Sequence, residues 1–193
     1  MHARMTLRQM RWIVPALAAL VPQLAGAQSA QRFSLQVSGL GMYPFGGEMA
    51  NVDVGAGWEA QLRINPSAFS LGAGAEQTFH KRLTGEDVVL FGGFLEPRYV
   101  LDIGSDSAVL YLSGRAALSQ ITYKLAAVEY TGTGYTLNGG GGVLIRLSAR
   151  VNLDLGATLG YKVLGEVERG STVIDLGTGA NAVGRVGLAI GLG

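Results

Sequence analysis

Three features of the sequence predict an all-β protein, an eight-stranded antiparallel up-and-down transmembrane β-barrel preceded by a signal peptide. Apolar and polar residues alternate with a period of two along nearly every segment. The connections between segments alternate short and long. The first 27 residues have the layout of an export signal.

Arg4, Arg8 and Arg11 make a basic start, and Ile13–Leu20 is a short apolar run. Pro22 breaks that run, and Ala25-Gly26-Ala27 is a small-x-small site before Gln28. That is the arrangement of a secretory signal, residues 1–27, cleaved after Ala27. The run is far short of the ~20 residues a spanning helix needs, which argues against an N-terminal anchor. The chain has no Cys, so lipid attachment at the cut, a disulfide frame and a thiolate metal site are all unexpected. Residues 28–193 are then one barrel domain. Three of the 15 Lys+Arg leave with the signal, so 12 face 14 Asp+Glu, a net −2. That balance excludes a basic nucleic-acid binder. Thirty glycines suit strands that bend and crowd, and disfavour helices.

Eight strands follow. The first, Phe33–Tyr43, sets Phe33, Leu35, Val37 and Tyr43 against Ser34, Gln36 and Ser38. The second, Gly57–Ile64, sets Trp58, Ala60, Leu62 and Ile64 against Glu59, Gln61 and Arg63. The third, Phe69–His80, sets Phe69, Leu71, Ala73, Ala75 and Phe79 against Ser70, Glu76 and Thr78. The fourth and fifth are a hairpin centred on Gly93–Ala116 and extended to Val88 and about Lys124. It places Leu95, Tyr99, Leu101, Leu110 and Leu112 on one wall and Glu96, Arg98, Asp102, Tyr111, Ser113 and Arg115 on the other. The sixth is Tyr135–Ser148, the seventh Val151–Tyr161 and the eighth Ala182–Leu192. Successive side chains of a strand point to opposite faces, so each segment has one apolar and one polar wall.

The connections after strands two, four and six are short: Asn65–Ala68, Ile103–Ser107 and Ala149–Arg150. Those after strands one, three, five and seven are longer: Pro44–Ala56, Lys81–Asp87, Leu125–Gly134 and Lys162–Asn181. Short turns at one end and long loops at the other characterise outer-membrane barrels, with turns periplasmic and loops outside. Aromatics fit that orientation. Phe33, Phe69 and Tyr99 lie near the short-turn ends, and Tyr43, Trp58, Phe79, Phe91 and Tyr161 near the long-loop ends. All share the apolar parity. Two interfacial girdles explain the placement at strand ends, which a plain strand preference of aromatics does not.

With these residues in place, the chain resembles the OmpA/OmpX-like family of eight-stranded outer-membrane β-barrel domains. The resemblance is carried by Leu95-Glu96-Pro97-Arg98-Tyr99, Leu110–Arg115, and the Gly139–Gly142 run leading into Val143–Arg146. It implies export to the cell outer membrane, lipid as surroundings and the outer-membrane assembly machinery as a partner. Such barrels usually end in an aromatic that resembles an assembly signal. Here the end reads Leu188-Ala189-Ile190-Gly191-Leu192-Gly193, without one.

The inward charges by parity are Glu59, Glu76, Glu96, Asp102 and Asp154 against Arg63, Arg98, Arg115, Arg146 and Arg185. Acid and base balance, which points to a lumen salt-bridge network rather than to paired catalytic carboxylates. If the hairpin after strand six is centred on Arg150, Arg146 and Asp154 lie opposite one another and pair. His80, the one histidine beyond the signal, has Thr78 as its closest hydroxyl, so a free surface or lumen histidine is expected, not a general base. One His and no Cys argue against zinc. Gly139–Gly142 lacks the Lys-Ser/Thr ending and following helix of a phosphate loop. No cofactor, metal or catalytic residue is expected. The function expected is structural or adhesive, through loops that could hold an extracellular ligand. Lys162–Asn181 is the foremost candidate, on a monomer whose lumen is filled and is not an open pore. The other readings are a secreted lipocalin-like binding barrel, a small-solute channel, and a lipid-modifying enzyme of the outer leaflet.

Overall fold

The structure is a computed structural model that describes residues 31–125, 128–169, 171–175 and 177–192. The expected signal peptide and its expected cleavage site lie outside the described residues. Ten strands occur among those described: β1 (Phe33–Phe45), β2 (Gly55–Ile64), β3 (Phe69–Lys81), β4 (Asp87–Leu101), β5 (Ala108–Leu125), β6 (Val128–Arg146), β7 (Val151–Val163), β8 (Glu166–Arg169), β9 (Thr172–Asp175) and β10 (Thr178–Leu192). Eight of them close a ring. Each of β1 to β6 pairs antiparallel with the next, β7 pairs with β10, and β10 pairs with β1. The seam runs from Phe33 opposite Leu192 to Phe45 opposite Ala180. Closure leaves no open edge in the ring.

Alternation in the sequence becomes inside and outside. Along β1, Ser34, Gln36, Ser38, Leu40 and Met42 are buried while Phe33, Val37 and Tyr43 are exposed. In β2, Glu59, Gln61 and Arg63 are buried while Trp58, Leu62 and Ile64 face out. The outer surface is thus apolar and the middle of the interior polar, the reverse of a soluble barrel.

The expected strands are all present, with corrected ends. The segment Leu125–Gly134 is not a loop. β5 and β6 run together from Ala108 opposite Ile145 to Leu125 opposite Val128, so this hairpin is the tallest part of the ring. The segment Lys162–Asn181 contains a second, small hairpin, β8 and β9, attached to β6 at Thr131 and Gly132. The connection after β1 carries a short 3-10 helix, Gly47–Asn51. Gly47 has φ 57°, and a side chain there would run into the carbonyl of Thr178. At the other end Asp102 is a turn residue, not a lumen charge. Its carboxylate accepts from the Gly104 amide at 2.8 Å, and Gly104 has φ 70°.

Candidate functional site

The interior is a stack of layers, and its middle layer is ionic. Glu96, fully buried on β4, sits among four guanidinium groups. Arg63 Nη2 and Arg98 Nε reach its Oε1 at 2.9 and 2.6 Å, and Arg115 Nη2 and Arg185 Nη1 reach its Oε2 at 2.5 and 2.8 Å. Glu59 takes Arg115 at 2.6 Å and Arg185 at 3.3 Å. Asp154 takes Arg98 at 2.9 Å and the Tyr111 hydroxyl at 2.6 Å. Glu76 takes Arg115 at 2.8 Å. These residues come from β2, β3, β4, β5, β7 and β10, so the layer ties the wall together through its centre.

Aromatic rings complete the layer. The Arg98 guanidinium lies 4.2 Å from the Tyr111 ring centre, and that of Arg115 lies 4.0 Å from the Phe94 ring centre. Such stacking suits the planar guanidinium in a dry site. Tyr111 fits because Gly142 and Gly156 face it. A side chain at either glycine would strike its hydroxyl. The inward glycines therefore receive neighbouring side chains.

Apolar clusters cap the ionic layer at both ends. Toward the short turns lie Val100, Val109, Tyr111 and Leu144. Toward the long loops lie Met42, Met49, Val88, Leu90, Ile121, Tyr123 and Leu164. Met49 comes from the 3-10 helix, which tucks it fully buried into the mouth. Between this cap and the ionic layer is a small polar tier with Thr136, Asn138, Lys162 and Asn181 buried.

No protein-family model matches the chain, and no curated relative matches it. Solved structures do. Neisserial surface protein A (NspA) is similar over 86% of this chain and 100% of its own, with 17% identity and a TM-score of 0.63. The outer membrane protein OprG from Pseudomonas aeruginosa is similar over 86% of this chain and 98% of its own, with 12% identity and a TM-score of 0.52. The chain has the outer-membrane β-barrel fold. This is the architecture that the resemblance to OmpA/OmpX-like domains implies.

On the barrel's outer surface, Phe33 and Phe69 lie exposed at the short-turn end with Tyr99 half-buried. Tyr43, Trp58, Phe79, Phe91 and Tyr161 lie exposed toward the long-loop end. Tyr135 joins them from the part of β6 that alternation places outward. Trp58 donates its indole N–H to Gln77 at 3.2 Å.

Arg146 does not belong to the ionic layer. It is the exposed last residue of β6, opposite Asn152, whereas Asp154 lies opposite Leu144. The turn spans Leu147–Arg150, with the Ser148 hydroxyl accepting from the amides of Arg150 and Val151. Centring the turn on Arg150 shifts the register and produces the false pair. His80 is buried inside the barrel mouth, with Nδ1 3.2 Å from the Asp53 carbonyl oxygen.

Residues missed by charge counting are Tyr111 as an ionic-layer member, Lys162, and the inward apolar side chains. The signal for Lys162 was the parity of β7, since Asn152, Asp154, Thr158 and Lys162 share the buried face. At the long-loop end, Asp53 N donates to Lys81 O at 2.7 Å and Leu83 N to Asn51 O at 3.0 Å, so the first two loops are stitched together. Glu86 sits half-buried beside them. The Thr84 hydroxyl donates to its carboxylate and holds it below the usual range. Among the described residues, no cluster of His, Cys, Asp and Glu is placed to hold a metal ion.

Proposed function

We propose that this protein is a small integral barrel of the cell outer membrane, exported by a signal peptide cut after Ala27. Its role is structural or adhesive, exercised through the long-loop end. It is monomeric and non-enzymatic, and its lumen is not a conducting pore. The observation that carries the reading is the central position of Glu96, with four arginines converging on it inside an apolar-coated ring. An eight-stranded ring encloses about as much space as its side chains fill, and the handful of long charged groups here span it. Stranding any one of those charges costs roughly 3–5 kcal/mol, so the layer resists opening.

The outward face gives the second support. Leucines, valines and aromatics lie exposed there, and a bilayer is the solvent that suits them. The surface left for recognition is the long-loop end, with the 3-10 helix, the Lys81–Asp87 connection and the β8–β9 hairpin. Function resides often on loops held by a rigid frame.

The deciding experiment is reconstitution of purified monomer into a planar bilayer, paired with gel mobility before and after boiling. The expected result is a mobility shift on boiling and no sustained single-channel conductance. Regular, voltage-stable steps would replace the closed barrel with a small-solute pore. Partition into the aqueous phase without detergent would refute membrane residence.

A further inference from the structure

The charges inside the barrel do not balance. Among the described residues, the carboxylates of Glu59, Glu76, Glu96 and Asp154 meet the guanidinium groups of Arg63, Arg98, Arg115 and Arg185, four against four. Lys162 is a further cation. It is buried, and the hydrogen-bond partner of its ammonium is the Met42 thioether, Nζ to Sδ 3.6 Å. A thioether is a weak acceptor. Glu76, the carboxylate lining the same space, is held by Arg115. No carboxylate of a described residue forms an ion pair with Lys162. Elsewhere in this interior every buried cation has an acidic partner, so a protonated Lys162 calls for a counter-charge.

Beside Lys162 is a cavity of about 20 Å³, lined among others by Thr136, Asn138, Thr158 and Asn181. That is room for one small ion or one water. Asn181 is fully buried, and its amide nitrogen has no hydrogen-bond partner. The Thr136 hydroxyl has none either. Asn138 fixes the arrangement. It donates to Asn181 Oδ1 at 3.0 Å and to Thr158 Oγ1 at 3.4 Å, which occupies the Asn181 acceptor and leaves the Asn181 donor over. The unpartnered Oδ1 of Asn138 itself packs over Gly160. What remains unused at the cavity is an ammonium, an amide N–H₂ and a hydroxyl. All can donate, and the local charge is positive.

We infer that this cavity binds a small monovalent anion of the halide class, held by Lys162 Nζ, Asn181 Nδ2 and Thr136 Oγ1. The anion brings the interior to neutrality and satisfies two orphaned polar groups at once. A water would satisfy the hydrogen bonds but not the charge. The site lies between the ionic layer and the apolar cap of Met42, Met49 and Leu164, so the ion enters as the barrel forms and exchanges slowly afterwards. This inference does not depend on what the loops recognise.

The test is to unfold the whole barrel domain in urea, refold it into detergent with sodium bromide as the sole halide, and crystallise it. An anomalous difference peak beside Lys162 and Asn181 is expected. The peak should vanish in Lys162→Met refolded the same way. Wild-type protein refolded in chloride should also melt higher than in sulfate at equal ionic strength, and Lys162→Met should lose that preference. A wild-type cavity without anomalous signal, whether empty or holding water, overturns the proposal. So does a bromide peak that survives Lys162→Met. If that variant does not fold, the wild-type bromide map decides alone, with Asn181→Leu as the second variant.

Discussion

Arg185 and Glu96 are 89 residues apart in the chain, and they meet across the lumen with Nη1 2.8 Å from Oε2. Their strands, β10 and β4, lie on opposite walls of the ring. The contact is therefore a strut, and Glu96 also holds Arg63 of β2, Arg98 of its own strand and Arg115 of the neighbouring β5.

The first prediction concerns that anchor. Glu96→Gln keeps the shape and removes the charge, leaving four guanidinium groups short of a partner. Unfolding in vesicles by urea should show a loss of about 3–5 kcal/mol. Adding Arg185→Met should cost less than the sum of the two single changes, because part of the penalty is the stranded cation. A loss within about 0.5 kcal/mol of zero for Glu96→Gln, the scale of ordinary surface substitutions, would remove Glu96 from its central role.

Tyr111 gives a gentler test. Its hydroxyl donates to Asp154 and accepts from Arg185 at 3.0 Å. Tyr111→Phe preserves the ring under Arg98 and deletes both bonds. Hydrogen bonds to charged groups contribute about 1.5–3 kcal/mol, and a loss of that order is expected in the same titration. Gly142→Val should cost more, since it pushes the whole ring out of its place; a smaller cost would mean the ring is free to move.

The outward face can be tested by depth. Val186 lies exposed midway along β10, and Leu83 lies exposed in the connection between β3 and β4. In a bilayer, Val186→Arg should destabilise by about 2–4 kcal/mol and Leu83→Arg by no more than about 1 kcal/mol. Equal effects of the two substitutions would contradict a bilayer around the ring.

The β8–β9 hairpin touches the ring through a two-residue pairing with β6. Replacing residues 166–175 with a short Gly-Ser turn should leave the boiling-dependent mobility shift unchanged. Any ligand captured by the long-loop end should then bind more weakly. Loss of the mobility shift would instead make the hairpin part of the fold.

Alternation carried most of the architecture, because a single parity slip would have put Glu59 or Leu62 in the wrong solvent. It worked least well where both parities are apolar. Val88, Val89 and Leu90 offer no polar wall, so the apolar cap that Val88 and Leu90 help to build is invisible in them. Turn chemistry decided the rest. Asp102-Ile103-Gly104 marks its reversal clearly, whereas Ser148-Ala149-Arg150 has no glycine or asparagine to centre it, and Arg146 was misplaced by that ambiguity. In Glu129–Gly134, Thr and Gly alternate and suggest a loop; the long ladder with β5 overrides that local preference. Glu166–Arg169 and Thr172–Asp175 do show paired alternation about Gly-Ser, but a hairpin of four-residue arms is too short to stand out from a polar loop. Lys162 falls at the start of a loop if β7 ends at Tyr161, but the strand runs two residues further, to Val163.

The thirteen pairs between β1 and β10 set the terms on which this chain can fold. Every other rung of the ring joins neighbours in the ring order that lie closer along the chain, and these alone join its first strand to its last. Until they form, two strand edges face hydrocarbon with their amides and carbonyls unanswered, which no spanning structure tolerates. A half-made ring is thus not a weaker version of the whole one. It is an adhesive object, ready to pair with any other edge it meets. The entropy of that last, longest loop closure is also spent before the strut from Arg185 to Glu96 can return anything for it. Assembly of this chain is accordingly a single late event, and its hazard is concentrated in the interval just before the seam shuts.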